Sequence, residues 1–84
     1  MEELIQSLKV NIIEQLNLVD MTPEQIADDE ILFGGGLGLD SIDALEIIVM
    51  LERKYGVKIN NQDEGKVALR SIRSIAEYIE SKKA

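Results

Sequence analysis

Apolar residues recur at helical spacing in three separate stretches of the chain. Leucines and isoleucines follow one another at three- and four-residue intervals near the N-terminus, which predicts an amphipathic helix over roughly residues 2–17. A second such stretch begins at Asp40 or Ser41, either of which can cap a helix, and it continues to about Tyr55. A third follows Ser71, which can cap it. The pattern therefore predicts three substantial helices.

Capping and stop residues mark the boundaries between these stretches. Thr22 to Gln25 has the form of a short helix start, with Thr as the cap, Pro at the first position and Gln completing a capping box. Gly56 is the left-handed stop residue expected just past a helix. Asn60 and Asn61 indicate a turn, and Gly65 weakens the short helical stretch that could follow. We predict an all-α fold, a small four-helix bundle of three main helices and one short one, forming a single domain over residues 1–84.

The composition narrows the chemistry that this bundle can support. Hydrophobic residues make up 45% of the chain but aromatic residues only 4%, so the core must be aliphatic. Histidine and cysteine are both absent, which excludes a Ser-His nucleophile pair and an ordinary zinc site. A catalytic serine would need a lysine or a carboxylate as its base. We therefore expect neither a self-sufficient enzyme nor a metal site.

The charge is strongly negative and unevenly placed. The net charge is −7 with a pI of about 4.4, which argues against a nucleic-acid partner. Residues 1–33 carry −7, residues 34–64 carry −3 and residues 65–84 carry +3, so a basic protein surface is the expected partner of the first two thirds. The N-terminus has no signal-peptide pattern and no segment could span a bilayer. We expect a cytoplasmic monomer with no membrane insertion.

One short motif gives these features a function. The sequence Gly38-Leu39-Asp40-Ser41-Ile42-Asp43 resembles the phosphopantetheine attachment motif of acyl carrier proteins, in which Asp-Ser-Leu or Asp-Ser-Ile opens the second helix. The resemblance extends over the whole chain, through the helix end at residues 55–59 to a closing helix containing residues 76–79. An ordinary helix cap would explain Asp40 and Ser41 alone, but it would not explain the matching flanks.

The resemblance implies that Ser41 carries a 4′-phosphopantetheine group, taken from coenzyme A by a carrier-protein phosphopantetheinyl transferase, with Asp40 and Gly38 shaping the site. The protein would then be a carrier of acyl thioesters rather than an enzyme. Such a site must tolerate a permanent anion, and free backbone N–H groups at a helix start favour one. The glycine-rich run at residues 34–38 should keep the serine oxygen exposed.

The second helix carries two apolar stripes. One is expected to face the core and consists of Ala44, Ile47, Ile48, Leu51 and Tyr55. By resemblance, the other face docks acyl transferases, ketosynthases and other synthase enzymes through their basic patches, using Asp40, Ile42, Asp43, Leu45, Glu46 and Val49. The alternative is that Leu45 and Val49 are boundary residues of the core.

In the family, acyl groups slip between the second and third helices. The resemblance implies that the acyl pocket here is lined by Ala44, Ile47, Ile48, Leu51, Ile59 and Leu69. The second helix ends in the mixed-charge run Glu52-Arg53-Lys54, so docking is not expected to extend to its C-terminal end. The triple glycine is longer than usual in the family, and the segment from Asn60 to Leu69 is longer than the family's short third helix. These last two departures favour a specialised carrier over the housekeeping carrier of fatty-acid synthesis.

Two other functions stay open. The first is a free-standing peptidyl or aminoacyl carrier on the same fold, although such carriers usually have Gly-Gly-His-Ser or Gly-Gly-Asp-Ser and this chain lacks the adjacent glycine pair. The second, from a different class, is an unmodified acidic module that docks by its helices alone. An acyl carrier for fatty-acid, polyketide or related lipid synthesis is the interpretation that the motif favours.

Overall fold

The computed structural model describes residues 2–33 and 38–83. These residues form four α-helices, and one turn of 3₁₀ helix follows the first of them at Pro23–Gln25. The helices are α1 (Glu2–Gln15), α2 (Ser41–Tyr55), α3 (Gln62–Ala68) and α4 (Ile72–Lys83). The predicted all-α fold with three longer helices and a short one is confirmed. In the described part of the chain, none of the helices has an apolar stretch of the length needed to cross a bilayer.

Two helices end where a residue takes the left-handed conformation. At the end of α1, Asn17 has φ 54°, and the N–H of Leu18 donates to the carbonyl of Ile13 at 2.9 Å. At the end of α2, Gly56 has φ 66°, and the N–H of Val57 donates to the carbonyl of Leu51 at 3.2 Å. The first is the six-to-one bond of a Schellman motif. The second reaches one residue further back, and the Gly56 N–H also donates to the Leu51 and Glu52 carbonyls, so both helices close at the left-handed residue.

Side-chain hydrogen bonds fix the starts of α3, α4 and the 3₁₀ turn. The Asn61 side-chain oxygen accepts the N–H of Glu64 at 2.8 Å, which opens α3 immediately after the predicted turn. Ser71 Oγ accepts the N–H of Ser74 at 3.1 Å and opens α4. Before the 3₁₀ turn, Gln25 Oε1 accepts the N–H of Thr22 at 2.9 Å, as the capping-box pattern predicts. The first four backbone donors of a helix need such partners.

The core lies between α1, α2 and α4 and is aliphatic, as the composition requires. Its fully buried large side chains are Leu8, Ile12, Ile26, Leu32, Ile47, Met50, Leu51, Ile72, Ile75 and Ile79. Met50 is a core residue that the predicted stripe omitted, whereas Ala44, Ile48 and Tyr55 are only partly buried. The Tyr55 hydroxyl instead bridges to α1, at 2.7 Å from both Ser7 Oγ and Asn11 Nδ2.

Ion pairs tie the first long loop to α1 and α4. Lys9 is almost fully buried and its Nζ lies 2.7 Å from an Asp28 carboxylate oxygen. Arg73 Nε donates to Asp29 at 2.6 Å, and the Arg73 backbone N–H donates to the Asp28 carbonyl at 2.8 Å. The hydrogen bond and charge of Asp29 raise the pKa of the Arg73 guanidinium. The loop is therefore held on this side of the bundle.

Candidate functional site

Ser41 is the first residue of α2, and Asp40 before it caps the helix. Asp40 has an extended backbone, and its Oδ1 accepts the N–H groups of Ile42 and Asp43, each at 3.1 Å. Asp43 Oδ2 in return accepts the N–H of Asp40 at 3.0 Å. This reciprocal capping box needs nothing from Ser41. The serine side chain is exposed, and no hydrogen bond to another described residue holds its hydroxyl.

The approach to Ser41 is anchored on the loop before it. Gly38 has φ 77°, which permits the sharp change of direction that brings the chain into the helix. Leu39 is buried, and its N–H donates to the Leu32 carbonyl at 3.1 Å. The rest of the predicted glycine loop, residues 34–37, lies outside the described residues. The serine therefore lies two residues after a buried, hydrogen-bonded leucine, which anchors the chain just before α2.

The capping box alters the expectation that free backbone N–H groups at the start of α2 bind the phosphate of the arm. The N–H groups of Ile42 and Asp43, which we expected to face a phosphate, already donate to the Asp40 carboxylate. The carboxylates of Asp40 and Asp43 also satisfy the positive end of the helix dipole. A phosphate on Ser41 must therefore find much of its compensating charge in side chains rather than in the start of α2.

A groove of about 910 Å³ opens beside Ser41, between α2 and α3. Four of the residues predicted for the acyl pocket line it, namely Ala44, Ile48, Ile59 and Leu69. The other two, Ile47 and Leu51, are fully buried and belong to the core instead. The helix period alone does not separate the two groups, because Leu51 lies only about 20° from Ala44 around α2. The division depends on the neighbours that each side chain meets.

Other lining residues were not part of the predicted pocket. Ile31 and Phe33 come from the loop before the site, where no hydrophobic periodicity marks them. Lys66 and Arg70 come from α3 and the turn after it. The charge asymmetry of the last third of the chain was the only sequence signal for these two cations. Leu45, predicted for docking, also lines the groove.

The predicted docking face of α2 is open to solvent. Ile42, Leu45 and Val49 are 68%, 63% and 46% exposed, so Leu45 and Val49 are not boundary core residues. Glu46 is exposed beside them and accepts a hydrogen bond from Gln15 Nε2 at 2.9 Å. The structure thus brings an apolar stripe and acidic side chains together, beginning at Ser41.

Comparison with known proteins agrees with this geometry. The family model described as "Phosphopantetheine attachment site" matches residues 6–79. The chain is 35% identical over 82 residues to the acyl carrier protein of Helicobacter pylori, covering 95% of each. It is 31% identical over 80 residues to that of Wolinella succinogenes, covering 95% of this chain and 97% of the relative. The chain belongs to the acyl carrier protein family.

Members of this family are carrier proteins, and the cofactor of this one is covalently attached 4′-phosphopantetheine. The structure fits that group on three counts. The carrier has an exposed hydroxyl that its helix cap does not use, an apolar groove starting beside it, and the amide of Asn60 on the groove wall. That amide suits the hydrogen-bonding groups along a pantetheine arm, whereas the Asn61 side chain is already bonded to Glu64.

Proposed function

We propose that this carrier holds acyl groups as thioesters on a phosphopantetheine arm attached to Ser41, and presents them to enzymes of fatty-acid, polyketide or related lipid synthesis. One observation carries the proposal. Ser41 is exposed and lines a large, mainly apolar groove. The arm, when bound, supplies the terminal thiol that forms the thioester.

For attachment of the phosphopantetheine arm, the carrier supplies the serine hydroxyl and the transferase supplies the catalytic groups. The Ser41 oxygen forms the new bond to phosphorus, the bond from phosphorus to the adenosine bisphosphate part of coenzyme A breaks, and a base on the transferase takes the hydroxyl proton. The carrier needs no histidine for this step, in agreement with its composition. Asp40 and Asp43 hold the start of α2 so that the hydroxyl is presented in one place.

Ser41→Ala should abolish modification while leaving the fold nearly intact, because the side chain is exposed and caps nothing. The cost to stability should be at most ~1 kcal/mol, the size of a lost cap. Intact mass after incubation with a carrier transferase and coenzyme A measures the modification. Ser81→Ala, at an exposed serine of α4, is the matched control and should gain the full phosphopantetheine mass.

An alanine protein that still gained the mass would move the attachment to another residue. A wild-type chain that gained none would favour the unmodified interaction module. Loading of the modified protein by a malonyl transferase, and not by an adenylating enzyme, supports the acyl carrier over the peptidyl carrier.

We also propose the exposed stripe of α2 as the docking surface for the transferase and the synthase enzymes. Asp40, Asp43 and Glu46 edge the apolar side chains Ile42, Leu45 and Val49, which suits a partner with a basic patch around an apolar centre. The mixed charges of Glu52, Arg53 and Lys54 at the other end of α2 restrict this acidic surface to its first half.

Glu46→Lys should slow association with the transferase and make the rate less sensitive to salt, since the side chain is exposed and its charge would now repel a basic patch. Stopped-flow association rates measure the effect, with Glu80→Lys on α4 as the control of equal charge change. Asp43→Asn tests the second acid without losing the oxygen that accepts the Asp40 N–H. Equal rates in the Glu46 and Glu80 variants would place the docking surface elsewhere.

A single domain, a monomeric state and a cytoplasmic location stay predictions from the sequence. So does the specialised role, because departures in the third helix and the glycine run do not name a pathway.

A further inference from the structure

Two cations on the wall of the groove have no role in the function proposed so far. Lys66 in α3 and Arg70 in the following turn line the same groove as Ser41 and are both exposed. Lys9, Lys58, Arg73 and Lys82 each lie within 4.0 Å of a carboxylate oxygen, whereas Lys66 and Arg70 have no such ion pair among the described residues. Their charges are therefore available to a ligand in the groove.

The backbone fixes Arg70 close to the start of α2. Its carbonyl accepts the Leu32 N–H at 3.0 Å, and the Leu32 carbonyl accepts the Leu39 N–H at 3.1 Å. Arg70 and Leu39 are thus each one backbone hydrogen bond away from Leu32. Leu39 is two residues before Ser41, and Arg70 lines the same groove as that serine, so the long guanidinium side chain starts near the attachment site.

A phosphodiester on Ser41 needs such charges. It would add an anion beside the carboxylates of Asp40 and Asp43, and the first amides of α2 already donate to Asp40. The carrier as a whole carries a net charge of −7, so distant charges also oppose the new anion. Lys66 and Arg70 are the cations that share a groove with the serine.

We propose that Lys66 and Arg70 bind the phosphate of the phosphopantetheine arm. The inference rests on attachment at Ser41. Arg70 offers a planar set of N–H donors suited to phosphate oxygens, and Lys66, four residues earlier, offers a compact ammonium group. Held from the α3 side, the phosphate directs the arm into the groove between α2 and α3 and away from the exposed stripe of α2. The stripe is then left open for partners.

The experiment compares melting temperatures of unmodified and modified protein at low salt, for the wild type, the double variant Lys66→Gln with Arg70→Gln, and the double variant Arg53→Gln with Lys54→Gln. The last pair are exposed cations at the other end of α2, without ion pairs among the described residues, and they give the same change in net charge. Intact mass and peptide mapping first establish that each protein is fully modified at Ser41.

Modification should raise the melting temperature by roughly 2–8 °C less in the Lys66 and Arg70 variant than in the wild type. This is the effect expected from the loss of one or two exposed ion pairs in a domain of this size. The control variant should keep the wild-type difference, and about 0.5 M salt should remove most of the distinction. In the wild type, the Arg70 Nε–H resonance should shift on modification.

Equal differences in all three proteins, together with an unmoved Arg70 resonance, would overturn the proposal while leaving attachment at Ser41 intact. An effect of the Lys66 and Arg70 substitutions that appears only with a malonyl group on the arm would also overturn it, since the cations would then bind the carboxylate of the cargo. Absence of modification at Ser41 would instead contradict the proposed function.

Discussion

The two sides of this bundle are both built from aliphatic residues, but one is closed by ion pairs and the other contains an open groove. On the α1–α4 side, buried isoleucines and leucines pack against one another, and the Lys9–Asp28 and Arg73–Asp29 ion pairs hold the first loop against these helices. On the α2–α3 side, Ala44, Ile48, Ile59 and Leu69 face each other across a groove of about 910 Å³. Polar contacts reinforce the first side, whereas the second keeps an apolar opening.

The difference shows how a small chain can combine a well-packed core with an open apolar groove. A domain of 84 residues has a modest core, so it cannot leave every interface loose. The fully buried large side chains of the helices lie on α1, α4 and one face of α2, whereas α3 contributes residues to the wall of the open groove. The walls of that groove are mainly aliphatic, with Phe33 as the aromatic among its lining residues.

The largest expected effect comes from the same substitution, isoleucine to alanine, made once on each side of the bundle. Ile75→Ala removes a fully buried side chain from α4 and should lower the free energy of unfolding by about 2–5 kcal/mol. Ile59→Ala removes a half-buried side chain from the groove wall and should cost only roughly 1–2 kcal/mol, in proportion to the area it buries. Urea unfolding followed by far-UV circular dichroism measures both. Equal losses would mean that the groove side is packed as tightly as the core.

Two glycine substitutions should change the free energy of unfolding by smaller amounts and in opposite directions. Gly65 lies inside α3, and an added methyl group would meet Ile59 Cγ2 at an ordinary contact distance of 3.5 Å. Gly65→Ala should therefore raise the free energy of unfolding by ~0.5–1 kcal/mol through helix propensity. Gly56→Ala meets no nearby atom but sits at φ +66°, so it should cost ~1–2 kcal/mol. A loss at Gly65 would show that the groove wall does not tolerate a larger residue.

Much of the fold follows from local sequence signals. The structure confirms the helices that the apolar periodicity predicts for α1 and α2. It also confirms the caps at Asp40 and Ser71 and the stop at Gly56, each of which depends on residues within one turn of the helix boundary. The end of α1 came two residues earlier than predicted because Asn17 adopts the left-handed conformation, which asparagine tolerates and the apolar pattern does not reveal.

The groove could be predicted only in part. A helical stripe shows that Ala44, Ile47, Ile48 and Leu51 are inward-facing, but the division between core and groove depends on which neighbour each one meets. Ile31 and Phe33 reach the groove through a loop, and loops leave no period in the sequence. The paired roles of Asp40 and Asp43 at the helix start likewise became visible only from their hydrogen bonds.

We propose that the groove between α2 and α3 shelters the acyl chain carried on Ser41. The melting temperatures of the modified protein with a free thiol and of its medium-chain acyl thioester test this most directly. Each methylene moved out of water contributes ~0.8 kcal/mol, so the acyl form should melt at a clearly higher temperature, and both forms should rise further with added salt. Equal melting temperatures for the two forms would contradict the claim, because the acyl chain would then lie in solvent or along the surface.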